Sequence, residues 1–459
     1  NEDALMQNYN FSASGGDEIS TFYASVGYNK TEATVIGGEF ERVNGLIRMT
    51  RKLRDNIDFS TSVNVSNTKQ NPILEQGSFF SNPFITRYLM NPLNNPFNPD
   101  GTPTTDLAYG SLHNTLYVLD NNITRNMLTR AISNSKLDWE WFENFTFSNT
   151  LSLDYQLSEY RNYQNRYEGD SAPVNGASTA SDNKAYNYVY QGSFNYNFKL
   201  GDLHNFDVTA LFEYQKNQNS YLYAYGENFP ADGLTNIASA SANFDAFSSF
   251  TDWYNVSYLG LFNYNYDGKY VVDATIRREG SSFFPSEKRF GTFGSVGAAW
   301  NVYKEDFMQD APFSNLKLRA SWGKSGNQEI PSKQTKLSYG ESFEDNDIYP
   351  ITGNEVNRED YPYGLVFART ANPDLQWEET AQTNIGVDFG LFNQKLTGTV
   401  DYFLKETTDV LLYFSTQDPI DEVGYTWQNI PDMEIRNSGL EVSLDYQSDR
   451  SKDFSYNIG

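Results

Sequence analysis

Residues Tyr186–Phe198 read YNYVYQGSFNYNF. Tyr186, Tyr188, Tyr190, Gly192, Phe194, Tyr196 and Phe198 share one parity, and Asn187, Val189, Gln191, Ser193, Asn195 and Asn197 share the other. Successive strand side chains point to opposite faces, so this stretch predicts a ribbon with one aromatic and one polar side. The same period runs through Ile57, Phe59, Thr61, Val63 and Val65, and through Phe145, Phe147, Asn149, Leu151, Leu153 and Tyr155. Helical period is nowhere sustained. These runs of about 10–15 residues exceed the roughly 5–6 of globular strands and suit the about 9–11 of a tilted membrane strand.

Composition supports a wet-and-apolar surface. The 459 residues carry a net charge of −25, with 16% aromatic residues and no Cys. A pI near 4.4 argues against nucleic-acid binding, which needs a basic footprint. The lack of Cys excludes disulfides, thiol nucleophiles and Cys-ligated metals. No apolar run is long enough for a membrane helix. Disordered chains are poor in aromatics, so disorder does not explain the low mean hydropathy of −0.62. The chain opens Asn1-Glu2-Asp3 without a signal pattern, as expected of a mature chain or a fragment.

The connections alternate in length. Short ones are expected at 15–20, 52–56, 143–144, 200–205, 267–269, 391–394 and 448–453, with a longer one at 304–315. Long outside loops are expected at about 69–126, 159–185, 223–250, 325–382 and 408–437, with shorter ones at 30–39 and 280–290. Up-and-down barrels in outer membranes sort their loops this way. All 16 prolines fall in the proposed connections, as a strand ladder requires. Asp267-Gly268 suits a tight hairpin turn. Tyr264, Tyr266 and Tyr270 flank it, where an interfacial girdle belongs. About sixteen strands are traced, and the last, Phe454–Ile458, stops short. An open edge is costly in hydrocarbon, so a longer polypeptide is expected.

Five segments resemble the SusC/RagA family of TonB-dependent outer-membrane transporters of Bacteroidetes. They are Gln7–Gly45, Gly260–Met308 (including YDGKYVVDATIRREGSSFF), Leu316–Gln328 (LKLRASWGKSGNQ), Asn372–Leu412 (NPDLQWEETAQTNIGVDFG onward) and Asn429–Tyr446 (NIPDMEIRNSGLEVSLDY). Departures are Glu279 for Asp, Phe284-Pro285 for a Gly-containing stretch, and Ser438 for Lys. The resemblance implies a 22-stranded barrel with a plug, of which this chain is the middle and larger part of the wall. It also implies import of oligosaccharides or peptides, TonB contact through an N-terminal region not seen here, and a SusD-like lipoprotein lid. No cofactor is implied.

Other chemistry is set aside. His113 and His204 are too far apart for a zinc motif and are read as plain surface residues. Gly323-Lys324-Ser325 lacks the upstream Gly of a phosphate loop, and Asp388-Phe389-Gly390 lacks the rest of the kinase set. Tyr160, Tyr163, Tyr167, Tyr349, Tyr361 and Tyr363 are the substrate-contact candidates, since flat rings stack on sugars and pack on peptide side chains. Against this stands a role as interfacial girdle or lid surface. Glu341, Glu344, Asp345 and Asp347 are candidate calcium ligands, against a solvated acidic loop.

The fold class expected is all-β, a transmembrane antiparallel β-barrel in the outer membrane of a Gram-negative bacterium. Lipid meets the apolar parity and a wet lumen meets the polar one. Partners expected are the lipoprotein lid, the TonB complex, membrane lipid and a glycan or peptide substrate, with no nucleic acid and no enzyme activity. A passive porin and a secreted soluble all-β glycan-binding protein are the alternatives.

Overall fold

The computed structural model describes all residues except 1–3, 36, 73–81, 106–111, 232, 337, 342–364, 370, 416–424 and 449–453. The strands are β1 Met6–Gly16, β2 Ser20–Glu32, β3 Glu39–Arg54, β4 Ile57–Asn71, β5 Ile123–Phe142, β6 Phe145–Gln164, β7 Ala177–Leu200, β8 His204–Glu227, β9 Ala242–Tyr266 and β10 Tyr270–Ser281. They continue as β11 Phe290–Asn301, β12 Phe313–Asn327, β13 Ser338–Glu341, β14 Leu365–Arg369, β15 Glu378–Leu391, β16 Leu396–Thr408, β17 Leu411–Ser415, β18 Tyr425–Asn429, β19 Ile435–Gln447 and β20 Asn457–Ile458. Two short helices, α1 Pro83–Leu89 and α2 Thr115–Asn121, lie between β4 and β5.

Sixteen strands form one sheet in the order β1 through β12, then β15, β16, β19 and β20. This is the all-β, antiparallel up-and-down order expected from the alternating runs. The pairs β13–β14 and β17–β18 are small separate sheets inside the two long connections. No described strand contains a Pro. The chain divides into two compact units: residues 1–139, 149–190 and 215–252, and residues 140–148, 191–214 and 253–459.

In the first unit, Phe22, Ala24, Val26 and Tyr28 of β2 oppose Met49, Ile47, Gly45 and Val43 of β3. Ile47 and Gly45 in turn oppose Val63 and Val65 of β4. Phe22, Val26, Val43, Ile47, Met49, Val63 and Val65 are exposed. The other face carries Tyr23, Arg48 and Ser62 in one row. Toward the long connections the apolar face turns charged, with Lys30 paired to Glu32 and Glu39.

The second unit repeats this division. Ile385, Tyr402 and Leu440 share one row, and Val387, Val400 and Val442 the next. Ile385, Tyr402, Leu440 and Val442 are exposed. Above them the same face reaches Glu379, Glu406 and Arg436. From Leu391 to Ala381 the rise is about ten steps of ~3.3 Å, which at a tilt of about 40° gives an apolar band on the order of 25 Å. A water-exposed sheet cannot carry such a band without associating. Hydrocarbon is the solvent that fits it.

At the short-turn end of the second unit the rings touch one another across seven strands. The chain runs from Phe142 through Phe145, Tyr196, Phe198, Phe206 and Tyr264, with centroids 4.7–5.9 Å apart. It continues from Tyr264 through His204, Tyr266 and Tyr270 to Trp300 at 4.8–6.3 Å. The expected girdle residues Tyr264, Tyr266 and Tyr270 are all members. His204 departs from the plain surface reading: its Nδ1 lies 2.8 Å from the Tyr264 hydroxyl, between two rings. The sequence signal missed was position, because His204 opens β8 on the aromatic parity.

The turn at Asp267-Gly268 has φ of +52° and +61°, and the Lys269 N–H donates to Tyr266 O at 2.8 Å. This is the primed turn that matches strand twist. Gly268→Val is expected to cost about 1–2 kcal/mol, because a β-branched residue is strained there. A lowered thermal midpoint, with Gly268→Asn closer to wild type, checks it.

Beside this turn Glu305 accepts from the Tyr270 hydroxyl at 2.6 Å and Trp300 Nε1 at 3.0 Å, with Lys269 Nζ at 3.4 Å. The Tyr270 hydrogen bond, then that of Trp300, holds the Glu305 carboxyl below the ordinary glutamate range. A depressed carboxyl stabilises the fold above its unfolded pKa, and the gain is lost as pH falls through the folded value. Amide exchange in residues 265–270 and 300–306 is therefore expected to be slow at neutral pH and to speed on acidification below the glutamate range. Glu305→Gln should flatten that dependence.

Candidate functional site

Small and polar residues meet on the inner parity of β10, β11, β12 and β15. Asp273, Gly297, Ser321 and Asn384 form one row, and Thr275, Ser295, Gly323 and Gln382 the next. Because glycine and serine leave room, the wall is hollowed into a cavity of about 820 Å³. Amides and hydroxyls line it together with the charged Asp273, Arg277 and Glu279 and the apolar Phe293, a mixed lining of the kind that binds polar solutes.

Two arginines brace this wall. Arg277 Nη2 donates to Glu213 Oε1 at 3.2 Å and Ser257 Oγ at 2.9 Å, and its Nε lies 2.7 Å from Glu279 Oε2. Glu279, the departure from the family's Asp, is thus a charge partner. Arg319 Nη2 reaches Asp388 Oδ1 at 2.9 Å and Asp401 Oδ2 at 2.7 Å, spanning β12, β15 and β16. Gly386 lies beneath the guanidinium, where a Cβ would collide with Arg319 and Asp401. Asp388 is therefore a wall residue. Gly323-Lys324-Ser325 is likewise continuous β12, with no helix following.

The long-connection end of the second unit holds its apolar core. Phe283, Phe284, Phe293, Ile330, Leu375, Trp377 and Leu411 pack together. Leu375 is 0% and Trp377 6% exposed. Trp377 lies 5.0 Å from Phe284 and 5.2 Å from Phe293, and its Nε1 donates to Arg289 O at 3.0 Å. Phe284, another departure from the family pattern, fills this core. Asn429 clamps the motif from the side: its Oδ1 accepts from Gln376 N at 2.9 Å and its Nδ2 donates to Gln376 O and Asp409 O. Glu378 accepts from Leu411 N at 2.9 Å. The NPDLQWEE and NIPDMEI segments are thus anchors that tie three connections to the wall.

In the first unit, β6 runs to Gln164 and β7 begins at Ala177, so Tyr160 and Tyr163 sit on strand. Tyr163 is 5% exposed and packs edge-on against Phe229 at 5.2 Å. Tyr160 is half-buried, and its hydroxyl accepts from Asn162. Tyr167 is exposed, with the Arg166 guanidinium 4.9 Å from its ring. Tyr349, Tyr361 and Tyr363 lie outside the described residues, as do Glu344, Asp345 and Asp347; Glu341 ends β13. No group of three metal-binding side chains occurs among the described residues.

Sequence reasoning passed over Glu168. Its buried carboxylate accepts from Asn114 N at 2.8 Å and faces His113 Nδ1 at 3.5 Å. Asn114 caps α2 and donates to Pro96 O and Thr104 O. His113 is half-buried against this hub rather than a free surface residue. Glu168 lies 54 residues from Asn114, and that separation hid the contact.

Residues 63–459 match the family described as TonB dependent receptor-like, beta-barrel. The chain belongs to this family. Its wall is therefore that of an outer-membrane barrel, and the exposed apolar parity is the lipid face. TonB-dependent receptor P3 of Formosa agariphila is 26% identical over 98% of this chain and 44% of its own length. TonB-dependent receptor SusC of Bacteroides thetaiotaomicron is 33% identical over 44% of this chain and 19% of its own. The solved RagAB peptide transporter has a similar fold, with a TM-score of 0.78 at 21% identity over 98% of this chain and 49% of that one. The chain spans less than half the length of the curated receptors it matches from end to end.

Proposed function

We propose that the whole protein imports oligosaccharides or peptides across the outer membrane, driven by TonB, beneath a SusD-like surface lipoprotein. The observation that carries this reading is the family match, joined to a polar inner wall hollowed by small residues. RagAB is a peptide transporter, and the shared fold is in keeping with the peptide branch of the cargo; the oligosaccharide branch and the lipoprotein partner follow from the resemblance to the SusC/RagA family. Energy coupling separates it from a passive porin. Cells carrying the full-length protein should take up labelled oligosaccharide or peptide and lose that uptake when tonB is deleted. Uptake that persists without TonB overturns the reading in favour of a pore.

Substrate contact by Tyr160, Tyr163, Tyr167, Tyr349, Tyr361 and Tyr363 belongs to the same reading, with Tyr167 offering the freest ring of the three described. A calcium ion held by Glu341, Glu344, Asp345 and Asp347 is a second part of it. Saturable calorimetric heat on adding calcium to the intact protein supports that ion, and its absence removes it.

A further inference from the structure

Two charges of opposite sign face the hollowed wall of the second unit without a counter-ion. Asp273 lines the cavity in one row with Gly297, Ser321 and Asn384. Lys405 of β16 stands opposite Gln382 in the next row. Residues directly opposite on paired strands share a face, so Lys405 points to the same side as the cavity. The arginines of this wall are matched: Arg277 by Glu213 and Glu279, Arg319 by Asp388 and Asp401. Among the described residues Asp273 accepts from the Asn263 amide and makes no ion pair, and Lys405 makes none either. A charge on a wet wall is stable in that state and stays available to a solute.

Their separation is the informative quantity. Four strand spacings of ~4.8 Å and one two-residue step of ~6.7 Å place the two backbone positions about 20 Å apart along the wall. An extended chain covers ~3.3–3.6 Å per residue, so about six residues reach from one to the other. A free peptide of that length carries an ammonium at one end and a carboxylate at the other.

The floor between them suits a polypeptide better than a sugar. Ser295 and Ser321 are exposed and carry no hydrogen bond among the described residues. Gly297 and Gly323 alternate with them in register and let a second backbone approach closely. A sugar ring stacks on an open aromatic face, and the cavity presents none. Phe293 is 7% exposed and packs against Trp377. Trp322 stands opposite Val296 on the lipid parity. Phe403 of the next strand lies over Gly439, away from the cavity.

We propose that this wall reads both ends of a short peptide, with Asp273 taking the N-terminal ammonium and Lys405 the C-terminal carboxylate. The inference rests on the proposed function and narrows its cargo. The probe is the peptide Ala-Ser-Ala-Ala-Ser-Ala with free ends, beside its N-acetyl form, its C-amide form and maltohexaose. Calorimetry on the full-length transporter should show the free peptide binding about tenfold more tightly than either blocked form, the scale of one charge-assisted hydrogen bond. Asp273→Asn should erase the effect of acetylation and keep that of amidation, and Lys405→Gln should do the reverse. Equal binding of free and blocked peptides overturns the proposal, as does binding of maltohexaose with no peptide bound, or of none of the probes. Ser321→Cys in the same full-length protein, with the unsubstituted transporter as background, should react with a polar maleimide. Failure to react also overturns the proposal, because another part of the polypeptide then fills the cavity. Uptake that persists without TonB removes the transport reading itself, whereas TonB-dependent uptake without preference for free ends removes this inference alone.

Discussion

Trp377→Ala is expected to cost about 3–5 kcal/mol locally, the usual toll of removing a large buried aromatic. The side chain is enclosed by Phe284 and Phe293 and donates to Arg289 O, so its loss leaves a cavity and removes one of the two donors to that carbonyl, the other being Ser281 N. The damage should stay at the long-connection end, because that core meets the strand ladder at the end of β11, through Phe293. Limited proteolysis should gain cleavage sites within 326–377 and 409–434, while the heat-modifiable band of the barrel remains. Trp377→Phe keeps most of the packing and should lose about 1 kcal/mol, the worth of one hydrogen bond. A proteolysis pattern identical to the parent's would show that the NPDLQW segment is not the anchor.

Arg319→Ala should be the most damaging change in the described inner wall. It leaves the carboxylates of Asp388 and Asp401 on neighbouring strands with no shared cation. Removing one partner of a fully buried ion pair costs about 3–5 kcal/mol, but these groups are roughly a quarter to a third exposed to the wet face. Screening reduces the expectation to about 1–3 kcal/mol. The loss should shrink at high salt, where the repulsion is screened. Adding Asp388→Asn and Asp401→Asn to Arg319→Ala should recover much of the stability in a denaturant titration. Failure of that rescue would assign the cost to lost packing rather than charge.

These two sites differ in how much of them the sequence shows. The alternation in Tyr186–Phe198 is a local property, so each strand, its lipid face and its wet face could be read directly. The Asp267-Gly268 turn and the girdle around it were legible for the same reason. Arg319, Asp388 and Asp401 lie 69 and 82 residues apart, and only strand register brings them together. The NPDLQWEE motif was visible as a resemblance, but its role as an anchor needed Phe284, Phe293, Leu411 and Asn429 from three other segments.

The tyrosine candidates show the boundary most clearly. A strand of 24 residues such as β7 can rise well past the apolar band, since nothing in a polar, tyrosine-rich extension tells the chain where lipid ends. Tyr160 and Tyr163 therefore read as loop and stand on strand. The period, the turns, the proline-free ladders and the amphipathic parity are legible along the chain, because near neighbours set them. The tertiary structure alone decided which carboxylate meets which arginine, which tyrosine is buried and which apolar groups stay bare. Those outcomes depend on residues far apart in the chain, and in a sheet their meeting is governed by register.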